Sequence, residues 1–339
     1  MKILVSGACG GIGSHLIPRL ISQGHQVLAI DDLSSGSWSN LQDHPNLEKI
    51  TLDITNQDGV ADLGVNNNFQ YLFHLAALSS LPECQINPAR AFDVNFLGTA
   101  NLVRLAKSQS DFRNFVFAST SAVYENNSEI PFVESTTVTP SLVYPQSKLF
   151  SENYLEAESK LCSFPSTIVR IFNVFGDFQN STRKSPPILN YIVKEISEGR
   201  TPTLHGDGEQ KRDFISVDDV TEFFASLLFT PSKSADKVNL CRGQLVSVNE
   251  IYSWVLSGLE SNTKASYASP TDLWNSYSEM FEGTYPLDKE FVANEVGKIS
   301  LGDPTKLREQ YGWSSSQDIA DQVADVAKRL RVRLGASRE

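Results

Sequence analysis

The chain has 339 residues, with 29 Lys+Arg against 40 Asp+Glu and 40% apolar residues. That length suits two domains or one large α/β unit, and the apolar content builds a sizeable core, which excludes a disordered chain. A net charge of −11 without a basic block disfavours nucleic acid, and no run approaches the roughly 18 apolar residues of a membrane span.

The first predicted strand is Lys2–Ser6, with no signal-peptide pattern ahead of it. Gly7-Ala8-Cys9-Gly10-Gly11-Ile12-Gly13 follows and opens a helix over Ile12–Gln23, in which Pro18 is expected to produce a kink. Further strands are predicted at Gln26–Ile30, Glu48–Leu52, Tyr71–Leu75, Asn114–Ala118 and Ser166–Ile171, with helices at Ala89–Lys107 and Tyr144–Leu161. Several strands are continuous Val/Ile/Leu/Phe runs, as parallel strands covered on both faces require. This alternation predicts an α/β fold with a doubly wound parallel sheet.

After about residue 176 the rhythm changes. Asp177–Pro187 reads as a loop, followed by a helix at Ile188–Glu198, turns at Gly206-Asp207-Gly208 and a helix at Val217–Leu228. Residues 262–300 are irregular. We expect residues 1–176 to form a cofactor-binding domain, with some later segments packing back on it. Residues 177–339 are then a smaller, irregular α/β substrate domain. The basic cluster Lys328–Arg333 suits a helix C-terminus better than an anionic partner. Cys9, Cys84, Cys162 and Cys241 are scattered and form no CxxC pair, so a disulfide framework or zinc site is not expected and a reducing cytoplasm is.

The G-x-x-G-x-x-G spacing of Gly7, Gly10 and Gly13 lets the backbone turn tightly and approach a pyrophosphate at a helix N-terminus. Asp31-Asp32 end the second strand, 18 residues after Gly13. A carboxylate there accepts from a ribose 2′-hydroxyl and repels a 2′-phosphate, which favours NAD over NADP. Asp53 closes the third strand, where it meets either an adenine amino group or a plain turn.

Tyr144 and Lys148 lie four apart at the start of a predicted helix and share one face. A tyrosine near pKa 10 is a poor base at neutral pH, but an adjacent ammonium favours the phenolate. Upstream, Ser119-Thr120-Ser121 stand at the carboxyl edge of the sheet, where ligands of open α/β folds bind.

With His74-Leu75-Ala76-Ala77, Val94-Asn95-Phe96-Leu97-Gly98-Thr99, Ser119-Thr120-Ser121-Ala122-Val123-Tyr124, Arg170-Ile171-Phe172-Asn173-Val174-Phe175-Gly176 and Gly206–Phe214, these motifs give the chain a family resemblance. It resembles an extended short-chain dehydrogenase/reductase of the nucleotide-sugar epimerase/dehydratase group, with a Rossmann-type sheet. The resemblance implies an enzyme in which Tyr144 is the acid/base, Lys148 lowers its pKa and binds the nicotinamide ribose, and Thr120 completes the catalytic set. The implied cofactor contacts are Gly7, Gly10, Gly11, Ile12, Gly13, Asp31, Asp32, Asp53, Ile54, Leu75, Ala76, Ala77, Asn95, Ser119, Tyr144, Lys148 and Phe172. The implied substrate contacts are Ser79, Thr120, Ser121, Asn173 and Arg212, the last pairing with a diphosphate unless it forms a salt bridge to Asp213 or another acidic neighbour. His74 is expected to be a packed strand histidine. The resemblance further implies a nucleotide-diphosphate sugar as substrate and a homodimer formed by the helices near Ala89–Lys107 and Tyr144–Leu161.

A 4,6-dehydratase of this group carries an acidic pair directly after the threonine. Ser121-Ala122 stand there instead, which favours C4 epimerisation through a transient 4-keto sugar. The nearest alternative is a nucleotide-sugar 4-ketoreductase or 4-dehydrogenase. A non-catalytic NAD(P) sensor is a third reading, against which the intact Thr/Tyr/Lys set argues. Three departures from the group stand out. Glu125 replaces a glycine, Cys84 stands where a serine is usual, and the Arg-x-Gly-Asp segment is missing. In that segment's place, Tyr267–Ile299 forms an insertion with Trp274, Tyr277, Phe281 and Tyr285. It is either a surface excursion packed by its own aromatics or a substrate-selective lid with Lys289 or Lys298 replacing the missing charge.

Overall fold

The computed structural model describes residues 1–179, 183–230 and 235–336. Of the loop expected at Asp177–Pro187, residues 180–182 lie outside the described residues.

The apolar runs of the first half form strands β1 (Lys2–Ser6), β2 (Gln26–Asp31), β3 (Leu47–Thr51), β4 (Tyr71–His74), β5 (Asn114–Thr120) and β6 (Ser166–Ile171). Later strands are β7 (Asn173–Phe175), β8 (Thr203–His205), β9 (Lys211–Ser216), β10 (Asp236–Leu240), β11 (Leu245–Ser247) and β12 (Ser266–Ala268). Seven of them make one parallel sheet in the order β10-β6-β5-β4-β1-β2-β3. The order reverses beside β1, and crevices at such switch points hold ligands. The sequence pattern did not predict β10, which returns from beyond residue 176 to pair with β6.

Both faces of this sheet are covered, which explains the continuous apolar strands. On one face Ile3, Val5, Val27 and Phe73 pack with Leu16 and Leu20 of helix Gly13–Ser22 and with Phe223 and Phe224 of helix Val217–Ser226. On the other, Leu4, Leu72, Phe115 and Phe117 pack with Val60, Leu102 and Leu155. Each fully buried side chain of this kind contributes about 1.5–3 kcal/mol. The first helix runs continuously through Pro18, which lies on its exposed side.

The helix expected at Ala89–Lys107 is broken into Pro88–Phe92, a π-helical turn at Asp93–Leu97, and Gly98–Lys107. Such turns recur at functional sites. The helix carrying Tyr144 and Lys148 spans Val143–Cys162. Strand β5 extends two residues further than expected, so Ser119 and Thr120 end the strand itself.

A second core gathers Leu189, Ile192, Val246, Ile251, Val255, Val323 and Val326 from three helices and the small sheet β11-β9-β7. The segment 262–300 is folded: β12 pairs with β8, and Trp274, Tyr277, Met280 and Val292 form a compact cluster with Leu142, packed by Leu81. It therefore sits against the residue that precedes the Tyr144 helix.

Candidate active site

A cavity of about 670 Å³ opens at the carboxyl ends of β1, β2, β4, β5 and β6, within the size range of small-molecule sites. One end is built by the glycine loop. Gly7 has φ +69°, and a Cβ there would lie 2.5 Å from the Ala76 nitrogen; one at Gly13 would lie 2.4 Å from the Gly7 carbonyl oxygen. Only glycine permits that closeness. The following helix has no side-chain cap and no acidic residue in its first turn, so its N-terminal N–H groups suit an anion.

Asp31 accepts from the Cys9 amide at 2.9 Å and the Leu33 amide at 2.8 Å, which fixes its carboxylate at the cavity wall. Asp32 accepts from the Ser34 amide and hydroxyl. Asp53 accepts from Thr55 and from the Arg90 guanidinium at 3.0 Å, and Arg90 also lies 3.7 Å from Asp32. Hydrogen bonds from Thr55 and Arg90 hold the Asp53 carboxyl below its usual pKa despite burial, the largest single influence, which acts the other way. Arg90 is the basic residue that could have suited a 2′-phosphate, but two carboxylates already engage it. The residues at this end thus fit a dinucleotide with a free ribose 2′-hydroxyl: a cradle for a pyrophosphate and carboxylates for a ribose.

Ile54, Leu75, Ala76, Ala77, Ser79, Ser119, Thr120, Tyr144, Lys148, Phe172 and Asn173 also line the cavity, as do Gly10, Gly11 and Ile12. Ser121, Asn95 and Arg212 do not. Asn95 sits in the π-helical turn, fully buried. Its Oδ1 accepts from the Leu78 amide at 2.8 Å, and its Nδ2 donates to the Leu78 carbonyl and to Ser147 Oγ. It clamps the loop after β4 to the Tyr144 helix.

At the other end, burial pushes the Tyr144 phenol up to about 12, against a hydrogen bond from Thr120 and the charge of Arg183, which lower it. Burial likewise pushes Lys148 down to about 7, opposed by Glu152. The Lys148 ammonium lies 4.0 Å from the centre of the Phe117 ring. The expectation that Lys148 brings the phenol down is therefore outweighed by desolvation of both groups. Ser119 donates to Glu152, which also receives Arg170 at 2.7 Å; Arg170 in turn donates to Tyr124 Oη at 2.8 Å. This buried network joins β5, β6 and the Tyr144 helix behind the cavity.

The departures now have physical accounts. Glu125 Oε2 accepts from the Ser141 and Leu142 amides, pinning the segment that leads into the Tyr144 helix. Cys84 donates to the Leu78 carbonyl, and burial pushes its thiol up to about 12. Arg212 makes no ion pair with Asp213. Its Nη2 donates to the Glu295 and Val296 carbonyls near the end of helix Lys289–Gly297, where a cation is favoured. Asp213 instead accepts from the Arg242, Gly243 and Gly302 amides. Lys289 lies over the Phe281 ring and Lys298 beside Glu295; neither lines the cavity. No residue of 262–300 lines it either, so the segment buttresses the wall rather than forming it. Sequence reasoning missed Arg90, Glu83 and Arg183, which do line it. A lone arginine in a helix or polar loop carries no local signal of where it points.

His74 is fully buried between Ser6 Oγ at 2.8 Å and Thr99 Oγ1 at 2.9 Å. Thr99 donates to the Asn95 carbonyl, so His74 Nε2 must donate to Thr99 while Nδ1 accepts from Ser6. Burial, then Lys148, holds its pKa well below the ordinary value. Its contribution to stability is thus complete above the unfolded histidine's pKa of about 6.5 and is lost as pH falls, at up to about 1.4 kcal/mol per pH unit. Urea titrations between pH 7 and 5 are expected to show the gap between wild type and His74→Gln narrowing at about that slope; parallel curves would reject it.

The family described as "NAD dependent epimerase/dehydratase family" matches residues 3–241. A "Putative UDP-glucose 4-epimerase" of Methanocaldococcus jannaschii is 30% identical over 331 residues, covering 97% of this chain and 98% of its own length. A "UDP-glucose 4-epimerase" of Mycolicibacterium smegmatis is 27% identical, covering 98% of this chain and 99% of its own. Among solved structures, a UDP-glucose 4-epimerase from Thermotoga maritima with UDP-glucose superposes with TM-score 0.85 at 26% identity, covering 98% of this chain and 100% of the other. A UDP-N-acetylglucosamine 4-epimerase from Methanobrevibacter ruminantium, in complex with UDP-N-acetylmuramic acid, gives 0.83 at 28% identity, covering 100% and 99%.

Proposed function

Because this chain belongs to the NAD-dependent epimerase/dehydratase family and is an NAD-dependent enzyme, we propose that it epimerises C4 of a nucleotide-diphosphate sugar through a transient 4-keto sugar. The observation that carries this reading is Thr120, Tyr144 and Lys148 lining one cavity, with no carboxylate at Ser121 or Ala122 to expel water from the sugar.

When bound, the oxidised nicotinamide would supply a reversible hydride acceptor carrying a positive charge. Tyr144 Oη takes the proton of the sugar's 4-hydroxyl and later returns it, while Thr120 holds the same oxygen. Lys148 binds the nicotinamide ribose and, while charged, favours the phenolate. Asp31 accepts from the adenosine ribose, and the uncapped helix N-terminus receives the pyrophosphate. Asn173 and Ser79, which both line the cavity, contact the sugar nucleotide.

The reading includes a homodimer and a cytoplasmic setting. Among the described residues no helix is long and apolar enough to cross a membrane, and all four cysteines are free. Phe150, 53% exposed, packs edge-on against Phe92 and Phe96, and Leu97 is 43% exposed beside them. These residues give the π-turn region and the catalytic helix one shared apolar face, suited to a second copy.

Incubation of the purified protein with UDP-, GDP-, dTDP- and CDP-sugars tests the proposal. The expected result is a C4 epimer from one of them, no net NADH, NAD retained through purification, and sedimentation as two chains. Net NAD(P)H turnover without an epimer would establish the reductase or dehydrogenase instead, and no turnover on any sugar would favour a sensor.

A further inference from the structure

A protein of net charge −11 that takes an anionic substrate needs a placed cation, and two sequence candidates fall away. Arg212 donates to the carbonyls of the insertion helix, and Lys289 and Lys298 lie outside the cavity. Three cations line it: Arg90, Lys148 and Arg183. Asp53 and Asp32 hold Arg90 at the ribose end, and Lys148 is buried beside Tyr144. Arg183 differs from both.

Its Nη2 reaches across the cleft to Ser79 Oγ at 2.9 Å, and among the described residues no carboxylate lies within 4.0 Å of its guanidinium. A neutral hydroxyl orients the arginine without neutralising it, leaving the remaining donors of the fork for a ligand. Its charge also reaches the Tyr144 phenol and the Cys84 thiol, which places it near the reacting end.

We propose that Arg183 binds an anionic group of the substrate, either a diphosphate oxygen or a carboxylate on the sugar, and that the 262–300 insertion is the platform that seats it. This rests on the reading of the cavity as a nucleotide-sugar site. The platform grips the neighbouring residue. Lys184 Nζ donates to the Ser276 carbonyl at 3.4 Å, lies 3.9 Å from Glu279, and sits 5.2 Å from the centre of the Tyr277 ring. Tyr277, 2% exposed, also points its hydroxyl at Glu83 on the cavity wall, 3.5 Å away. The same cluster holds Leu142 at the head of the catalytic helix. The insertion thus fixes Arg183 and Tyr144 relative to one another without touching the ligand. Arginine suits this position because its charge is permanent and its planar fork matches phosphate and carboxylate alike.

Calorimetric titration of the NAD-loaded protein with UDP, UDP-glucose and UDP-glucuronate tests this without relying on turnover. Failure of the epimerase assay therefore remains distinguishable from failure here. A diphosphate contact predicts that Arg183→Ala weakens all three ligands by about tenfold or more, whereas a sugar-carboxylate contact predicts that loss for UDP-glucuronate alone. Arg183→Lys should recover part of the loss, because it restores a charge without the fork. NAD content should stay at the wild-type level in both variants. Affinities within twofold of wild type for all three ligands, or any pattern that spares UDP-glucuronate, would overturn the proposal. Tyr277→Ala should reproduce the same ligand pattern at smaller amplitude, and unchanged affinities there would overturn the platform.

Discussion

Tyr144→Phe is expected to lower turnover about 10²–10⁴-fold, the range that a positioned acid/base contributes, with NAD content and nucleotide-sugar affinity close to wild type. The substitution removes one oxygen and keeps the ring, so the packing of the catalytic helix survives. What is lost is the only phenol among the cavity-lining residues. Thr120→Ala separates the two members of the pair. The Thr120 hydrogen bond favours the phenolate, so its removal should raise the Tyr144 pKa and move the acid limb of the rate profile to higher pH. Turnover by Tyr144→Phe within tenfold of wild type would reject the assignment.

The second large effect falls on stability. Glu152→Ala is expected to cost about 3–5 kcal/mol, measured by urea unfolding, because it strands a buried charge. Arg170 is 1% exposed and donates through Nε and Nη2 to Glu152. Without that carboxylate its guanidinium keeps only Tyr124 Oη and the Glu134 carbonyl. Ser119 loses its acceptor in the same stroke. Exchanging both partners for apolar residues, Glu152→Leu with Arg170→Met, should restore much of the loss, since no charge is then left unpaired. A single-variant cost below about 1 kcal/mol would show that water reaches Arg170 and that the pair is not buried in solution.

The parts of this molecule that were legible in the sequence are those fixed by local chemistry. Strands β1, β4 and β5 show as apolar runs because sheet burial on both faces favours apolar side chains, with polar residues such as Ser6, His74 and Asn114 confined to the strand ends. The glycine loop was legible because close backbone approach leaves glycine as the only residue that fits at Gly7 and Gly13. Thr120 and Tyr144 were legible as a pair because a strand end and a helix start meet at the same edge of the sheet. The rest depends on contacts between distant residues. Strand β10 begins Asp236-Lys237, and Lys306 and Tyr311 from another element satisfy that aspartate. Where Arg212 and Arg183 point is set by the Glu295 carbonyl and by Ser79, not by their neighbours in the chain. The basic stretch at Lys328–Arg333 was read as a helix terminus. It does lie toward the end of helix Ile319–Ala336, where Arg333 donates to Asn40 of the first half and lies 3.6 Å from the centre of the Phe178 ring, while Arg329 pairs with Asp218 and Arg331 donates to the Leu259 carbonyl.

The late arrival of β10 bears on how the protein is made. Strand β6 pairs with β5 on one side and with β10 on the other, and roughly 65 residues separate β6 from β10 in the chain. During synthesis the first six strands can assemble while β6 still presents an open row of amides and carbonyls, the kind of edge that recruits other chains. That edge closes only when Asp236–Leu240 has left the ribosome. The interval in which the nascent chain is most prone to mispairing is therefore set by how long the second half takes to be translated.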